Sequence, residues 1–282
     1  MTTVSVVIPS RNRYETLVDA IESVRLQTCP ASEIIVMDDN SSDPRYKAHS
    51  PVGVTVLRRE TSTVEEFGFP APGVVRNVGM RAATGEYIAF CDDDDVWLPW
   101  KLERQLQALQ NTGCRMSSTE GYMVRKRWDS GHLVDELQSC FHRRHPLYNR
   151  EYYWPILKRL CRLEDDFPAI WNREFLSRHN TVITSSVIFH RSLLPQTGEF
   201  GPLVIGREDE HYWLRLLEHT DSVYVKTPCF GYCSRRREAT SALPGFEMNA
   251  GFHAPPRLPV SIRAKTSGAT VPEAGSGAPP LS

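Results

Sequence analysis

Four consecutive carboxylates, Asp92-Asp93-Asp94-Asp95, follow directly on the apolar run Tyr87-Ile88-Ala89-Phe90-Cys91. Four like charges at the end of a buried segment are costly unless something positive meets them. Carboxylate oxygens are the ligands that hard divalent cations prefer, so the tetrad suits a cation that neutralises a substrate's phosphates. An isolated tetrad equally suits a solvated acidic turn. A second acidic group, Asp38-Asp39, closes the run Ile34-Ile35-Val36-Met37. Its carboxylates can accept from the N–H groups of a base or the hydroxyls of a ribose. A third, Glu208-Asp209, precedes a helical pattern, where it serves either as a general base or as compensation for the helix dipole. The pair Arg76-Asn77 offers a cation and an amide, with an ordinary helix-surface position as the alternative.

These groups need strands and helices to bring them together. Val4-Ser5-Val6-Val7-Ile8-Pro9 reads as a buried strand. Asn12 with Glu15 three residues on predicts a helix start, and Tyr14, Leu17, Val18, Ile21 and Val24 recur at helical spacing. A second strand over Glu33–Met37 completes strand, helix, strand, the pattern of a parallel βαβ unit. Val54–Leu57 adds a third strand, and 73–83 reads as a helix that Gly85 would cap. After the tetrad, Leu102, Leu106 and Leu109 mark one face of a helix opening near Pro99. Thr181–Phe189 returns to strand character, and Tyr212, Trp213, Leu216 and Leu217 follow Glu208-Asp209 on an amphipathic helix. In open parallel sheets, ligands bind outside the carboxyl ends of strands. Both aspartate groups at strand ends are therefore expected to face one crevice.

Composition narrows the classes. With 40% hydrophobic and 24% charged residues, the 282-residue chain is globular. A net charge of -1 gives no electrostatic case for nucleic acid as the main partner. Apolar runs fall short of the roughly eighteen residues of a membrane span, so any contact with a membrane would be peripheral. Neither a leader's charged start nor its apolar stretch is seen, and seven scattered cysteines favour a reducing compartment. The expectation is a cytoplasmic protein. The segment after the tetrad is rich in aromatics (Trp128, Tyr148, Tyr152, Tyr153, Trp154, Phe167, Trp171), expected mostly in the core with some lining an acceptor groove. Cys140, His142 and His145 have no second cluster at zinc spacing. His190 and His211 read as structural histidines. Six of the twenty prolines fall within residues 250–282, with few large apolar side chains, which predicts a disordered tail.

Four segments in order, Val4–Arg13, Val36–Asp43, Val75–Gly79 and Gly85–Asp95, resemble the landmarks of the family 2 glycosyltransferases. Gly206-Arg207-Glu208-Asp209 with Tyr212-Trp213-Leu214-Arg215-Leu216 resembles the family's later Glu-Asp motif. The resemblance implies an α/β fold of GT-A type, with a Rossmann-like, mostly parallel central sheet flanked by helices and a C-terminal acceptor-side portion. On this basis residues 1–115 form the nucleotide-sugar-binding half, 116–249 the acceptor-binding and catalytic half, and 250–282 the tail.

The resemblance also implies inverting sugar transfer from a nucleotide-sugar donor, dependent on Mn²⁺ or Mg²⁺, to a glycan, glycolipid or glycoprotein hydroxyl. UDP is the first expectation for the donor, with dTDP and GDP as alternatives. Carried over by motif, Asp39 (or Asp38) would recognise the base, Pro9 and Arg11 would line the same pocket, and Arg76 and Asn77 would serve the donor. The tetrad matches the Asp-x-Asp signature, with Asp94 as metal ligand and Asp92 on the ribose or the metal's water. Asp93 would stand on the donor side, the register being open by one residue. Asp209 would be the base, with Glu208 as the alternative, and Arg235 and Arg237 would belong to a basic segment closing over the pyrophosphate. A sugar nucleotidyltransferase would normally carry a Gly-rich phosphate loop after the first strand. Ser10-Arg11-Asn12-Arg13 has no glycine. A non-catalytic nucleotide- or carbohydrate-binding module is the third reading, and the intact carboxylates argue against it.

Overall fold

The β-branched run at the N-terminus forms β1 (Val4–Ser10), buried along its whole length. It is flanked by β2 (Glu33–Asp38) and β4 (Tyr87–Phe90), both parallel to it, and β2 pairs in parallel with β3 (Val54–Arg58). The computed structural model describes residues 2–48, 51–124, 158–159, 167–203 and 208–233, all within the compact unit Met1–Arg236. Near-continuous apolar strands of this kind need cover on both faces. Helix α1 (Tyr14–Arg25) supplies part of it, burying Leu17, Ile21 and Val24. The sheet runs β3-β2-β1-β4 and continues through strands of mixed direction. These are β8 (Ile188–His190), antiparallel to β4, then β6 (Met116–Val124), β9 (Ser222–Cys233) and the short β5 (Val96–Trp97), with β7 (Ile170–Trp171) on β9.

The short helices α2 (Arg45–Ala48) and α3 (Thr63–Phe67) follow β2 and β3. Ser62 caps α3 in a reciprocal capping box with Glu65. Helix α4 (Pro72–Ala82) opens on a proline, whose missing N–H costs nothing at a first turn, and precedes β4. Helix α5 (Lys101–Thr112) buries Leu102 and Leu109. A helix over Arg173–Arg178 and the late helix Glu208–Leu216 complete the described helices that bear on the site. Tyr212, Trp213 and Leu216 of the late helix are buried, and Phe200 stacks on Tyr212 with centroids 3.9 Å apart. Phe167 and Trp171 join the core, Trp171 stacking on Tyr224 at 4.5 Å. Trp128, Tyr148, Tyr152, Tyr153 and Trp154 lie outside the described residues.

Several local expectations are corrected. Asn12 does not cap α1: Arg13 holds the cap position without a side-chain bond. Asn12 instead takes a left-handed backbone (φ 53°), and its Oδ1 accepts from Ser42 N at 2.8 Å and Asp43 N at 3.2 Å, tying the loop after β1 to the loop after β2. Gly85 does not cap α4, which ends at an extended Ala83. A Cβ at Gly85 would stand 2.7 Å from Ser5 N, so glycine is needed there for close approach to β1. Helix α5 opens after Trp100, close to Pro99 as expected. Of the predicted strand over Thr181–Phe189 only Ile188 and Phe189 are β, as the start of β8, because Thr184–Ser186 turns as a 3₁₀ helix in which Ser186 Oγ donates to Ile183 O.

Candidate active site

Ser10 joins the two strand ends that carry the aspartates. Its carbonyl accepts from Asp39 N at 2.9 Å, while its hydroxyl donates to Asp93 Oδ2 at 2.7 Å. Tyr46 OH lies 2.5 Å from the same hydroxyl and accepts from Arg13 N at 3.0 Å. The carboxyl ends of β1, β2 and β4 thus form one polar rim. Pro9 is buried in β1 and Arg11 lies in the loop beyond it.

Asp38 and Asp39 are buried and committed to their own loop. Asp38 accepts from Ser41 N at 2.8 Å and pairs with Arg58. Asp39 accepts from Thr63 N at 2.9 Å and Thr63 Oγ1 at 2.7 Å, and Arg59 Nε stands 3.1 Å away. The carboxylates expected to read a base therefore also build the frame on which a base would rest. Nothing in the local sequence marks Arg58, Arg59 and Thr63 as part of this frame; only the fold brings them to β2's end.

The tetrad alternates in exposure. The side chains of Asp92 and Asp94 are 29% and 25% exposed, whereas Asp93 is at 6% and Asp95 is buried. Asp92 N donates to Ser185 Oγ at 2.9 Å, so the 3₁₀ turn before β8 braces the tetrad's first residue. Arg13 Nη1 lies 3.1 Å from Asp93 Oδ1 and 2.8 Å from Asp94 Oδ2. Burial raises the Asp93 carboxyl to about 7, against the pull of Arg13, with Asp94 adding to the rise. Among the described residues, no three Asp, Glu, His or Cys side chains converge as an all-protein cage. Mg²⁺-type ions held by one or two carboxylates plus substrate phosphates need no such cage. The more open oxygens of Asp92 and Asp94 fit that arrangement; inward-turned Asp93 and Asp95 do not.

Arg76 and Asn77 are buried, not on the outer surface of α4. Arg76 Nη2 donates to Asp92 Oδ1 at 2.6 Å, and Nη1 stands 3.8 Å from Glu208 Oε1. The guanidinium packs on the rings of Phe90 and Phe200. Burial opposes its charge, but Asp92 and then Glu208 and Asp209 outweigh that and hold it firmly protonated. Asn77 uses both ends of its amide on the Phe200 backbone, at 2.9 Å each. A Cβ at Gly73 would stand 2.8 Å from Phe200 Cβ and 3.1 Å from Glu208 Cγ, so α4 admits the late helix only where it lacks a side chain.

Glu208 and Asp209 open the late helix, Glu208 fully buried. Burial, then the Glu208 charge, raises Asp209 to about 6. Its Oδ1 accepts from Glu210 N at 2.6 Å. The structure brings the tetrad, Arg76 and Glu208-Asp209 together. Gly206, Arg207, Arg235 and Arg237 lie outside the described residues. His190 bonds Ser192 through Nδ1 at 2.7 Å and His211 is exposed.

The chain is 36% identical over 121 residues to the putative teichuronic acid biosynthesis glycosyltransferase TuaG of Bacillus subtilis, covering 43% of this chain and 47% of that one. It is 37% identical over 111 residues to the Escherichia coli UDP-Glc:alpha-D-GlcNAc-diphosphoundecaprenol beta-1,3-glucosyltransferase WfgD, covering 38% of this chain and 40% of that one. The chain thus spans less than half the length of either relative. The crystal structure of S. aureus TarS 1-349 in complex with UDP superposes with a TM-score of 0.56 at 16% identity, over 82% of this chain and 60% of that one, which shows a shared GT-A fold. Among the described residues no helix is long and apolar enough to cross a membrane. The model of glycosyl transferase family 2 matches residues 5–179, more than half of the chain, and the chain belongs to that family.

Proposed function

We propose that the chain transfers a sugar from a UDP-sugar to a hydroxyl of a glycan or glycolipid, with inversion at the anomeric carbon. The observation that carries this reading is the Arg76 guanidinium, which ties Asp92 of the tetrad to Glu208 at the start of the late helix. The donor group and the candidate base Asp209 thereby lie beside one guanidinium. A carboxylate raised to about 6 is ionised at neutral pH yet more basic than an ordinary aspartate, which suits removal of a proton from an attacking hydroxyl. Glu208 is paired with Arg76 and buried, which favours Asp209 over it as the base. The named substrates of WfgD and the UDP held by TarS support a UDP-sugar and a lipid-diphosphate-linked acceptor.

In this reading Asp94 and Asp92 hold Mn²⁺ or Mg²⁺, which when bound offsets charge on the departing diphosphate. Pro9, Arg11, Asp38 and Asp39 frame the base, and residues 1–115 form the donor half with 116–249 as the acceptor half. The test is release of UDP from UDP-glucose, UDP-galactose and UDP-N-acetylglucosamine with a GlcNAc-diphospholipid acceptor, with and without Mn²⁺. Sugar transfer by wild type, and about 10²–10⁴-fold slower transfer by Asp209→Asn, is expected. Turnover only with dTDP- or GDP-sugars would replace the donor, and equal turnover by Asp209→Asn would move the base.

A further inference from the structure

Arg13 is a cation of this rim that the proposed chemistry leaves without a task. Its backbone is fixed: the carbonyl accepts from Leu17 N at 2.9 Å and Thr16 Oγ1 at 3.1 Å, and the N–H donates to Tyr46 OH at 3.0 Å. Its side chain, by contrast, is 50% exposed and reaches both Asp93 and Asp94 through one nitrogen, Nη1. The two pairings are unequal. Asp93 is turned inward and has a second partner in Ser10 Oγ, whereas Asp94 is the more open of the two.

We propose that Arg13 is a place-holding cation, which sits on Asp94 until the donor arrives and then passes to the donor's diphosphate as a divalent cation takes the carboxylate. This rests on the reading of Asp94 and Asp92 as the cation site. Adjacent carboxylates drawn out of water repel one another, and a guanidinium between them offsets that repulsion while no metal is bound. A dication on the same Asp94 oxygen would lie against the guanidinium, so the two cations compete for it. Arginine is the one of the pair on a long, half-exposed stem, and its planar fork binds phosphate oxygens in pairs. The diphosphate is therefore the anion best suited to receive it.

The exchange makes metal and donor binding cooperative. A cation arriving alone must send Arg13 into water, whereas a cation arriving with a diphosphate gives it a new partner. Mn²⁺ binding read from the electron-paramagnetic-resonance signal of the free ion, with and without UDP, tests this on wild type, Arg13→Gln and Arg13→Lys. Arg13→Gln should bind Mn²⁺ alone about tenfold more tightly than wild type, and UDP should strengthen that binding about tenfold less. Arg13→Lys keeps the charge without the fork; it should bind Mn²⁺ alone as weakly as wild type and lose part of the UDP enhancement. If wild type binds Mn²⁺ with UDP but both variants match it in every arm, Arg13 is only a structural counterion and the cation site stands without it. If wild type binds no Mn²⁺ in either condition, the cation site falls and the place-holder with it.

Discussion

Arg76 Nη2 donates to Asp92 Oδ1 at 2.6 Å from a side chain that is itself buried. Among the described residues, neither Nε nor Nη1 of Arg76 has a hydrogen-bond partner. So buried a cation persists because carboxylates from two other elements surround it, Asp92 from the end of β4 and Glu208 from the late helix. Removing one partner of a buried pair leaves the others uncompensated, at a cost of about 3–5 kcal/mol. Arg76→Met should fall at the lower end, since Asp92 is partly exposed and water can reach it. For a domain of this size about 3 kcal/mol lowers Tm by roughly 6–12 °C. A melt of the variant checks this, and an unchanged Tm would show that the bridge carries no stability.

Burial sets the working range of the base, and the same cation only tempers it. Asp209 is raised to about 6 by burial and by Glu208, with Arg76 pulling it down. Only the ionised carboxylate accepts a proton, so kcat/KM should rise with pH through about 6 and then level. Asp209→Asn should remove about 10²–10⁴ of the rate while leaving UDP binding close to wild type. Stability runs the other way. The folded state holds this proton more tightly than the unfolded chain, so the group's contribution declines between the ordinary aspartate range and about 6. The asparagine variant should therefore gain Tm relative to wild type as pH is raised from about 4 to about 7. Loss of activity with no relative gain would place the carboxylate in solvent.

Much of this site is legible in the residue pattern alone. Runs such as Val4–Ile8 and Ile34–Met37 read as buried strands, and a parallel sheet sends their carboxyl ends, with Asp38-Asp39 and the tetrad, to one rim. The features that the pattern does not reveal depend on contacts distant in sequence. Helical periodicity assigns a charged residue outward, whereas Arg76 is held inside by the counter-charge of Asp92 and Glu208. Arg13 lies eighty residues from Asp93, one of the carboxylates it pairs with. The hydroxyl-rich Thr184-Ser185-Ser186 carries β-branched and small residues that suit a strand, yet its side chains bond locally and to Asp92 N, which favours a turn. The alternating exposure of the tetrad is likewise set by how the loop after β4 turns, which four identical residues cannot encode by type.

Asp94→Asn isolates the cation reading. UDP at about one hundred times its Kd stabilises a protein by roughly 2.7 kcal/mol, a shift of several degrees here. Wild type should show that shift with UDP and Mn²⁺ together and a smaller one with UDP alone. Asp94→Asn should show the smaller shift in both conditions, because the carboxamide offers a hard cation one neutral oxygen in place of a carboxylate. Equal Mn²⁺-dependent shifts in the two proteins would move the ligand to Asp92, and no Mn²⁺-dependent shift in wild type would dismiss the cation.

Lys101 gives a prediction independent of the active site. It opens α5 fully buried, with Nζ donating to Gln105 Oε1 at 2.6 Å and lying 4.0 Å from the centroid of the Trp97 ring. Burial drives its pKa down to about 7, with Cys229 and Cys91 pulling weakly the other way. A lowered lysine pKa means that the unfolded chain binds the proton more tightly than the folded one. Below about 7 both states are protonated and the full penalty of the buried charge applies; above it the folded state sheds the proton and the penalty fades. Lys101→Met carries no such group. Wild type should therefore gain Tm relative to Lys101→Met as pH rises from about 6 to about 9, whatever the absolute difference at either end. Parallel curves would mean that Lys101 keeps its proton across this range, held by the Gln105 oxygen and the Trp97 face rather than yielding to burial.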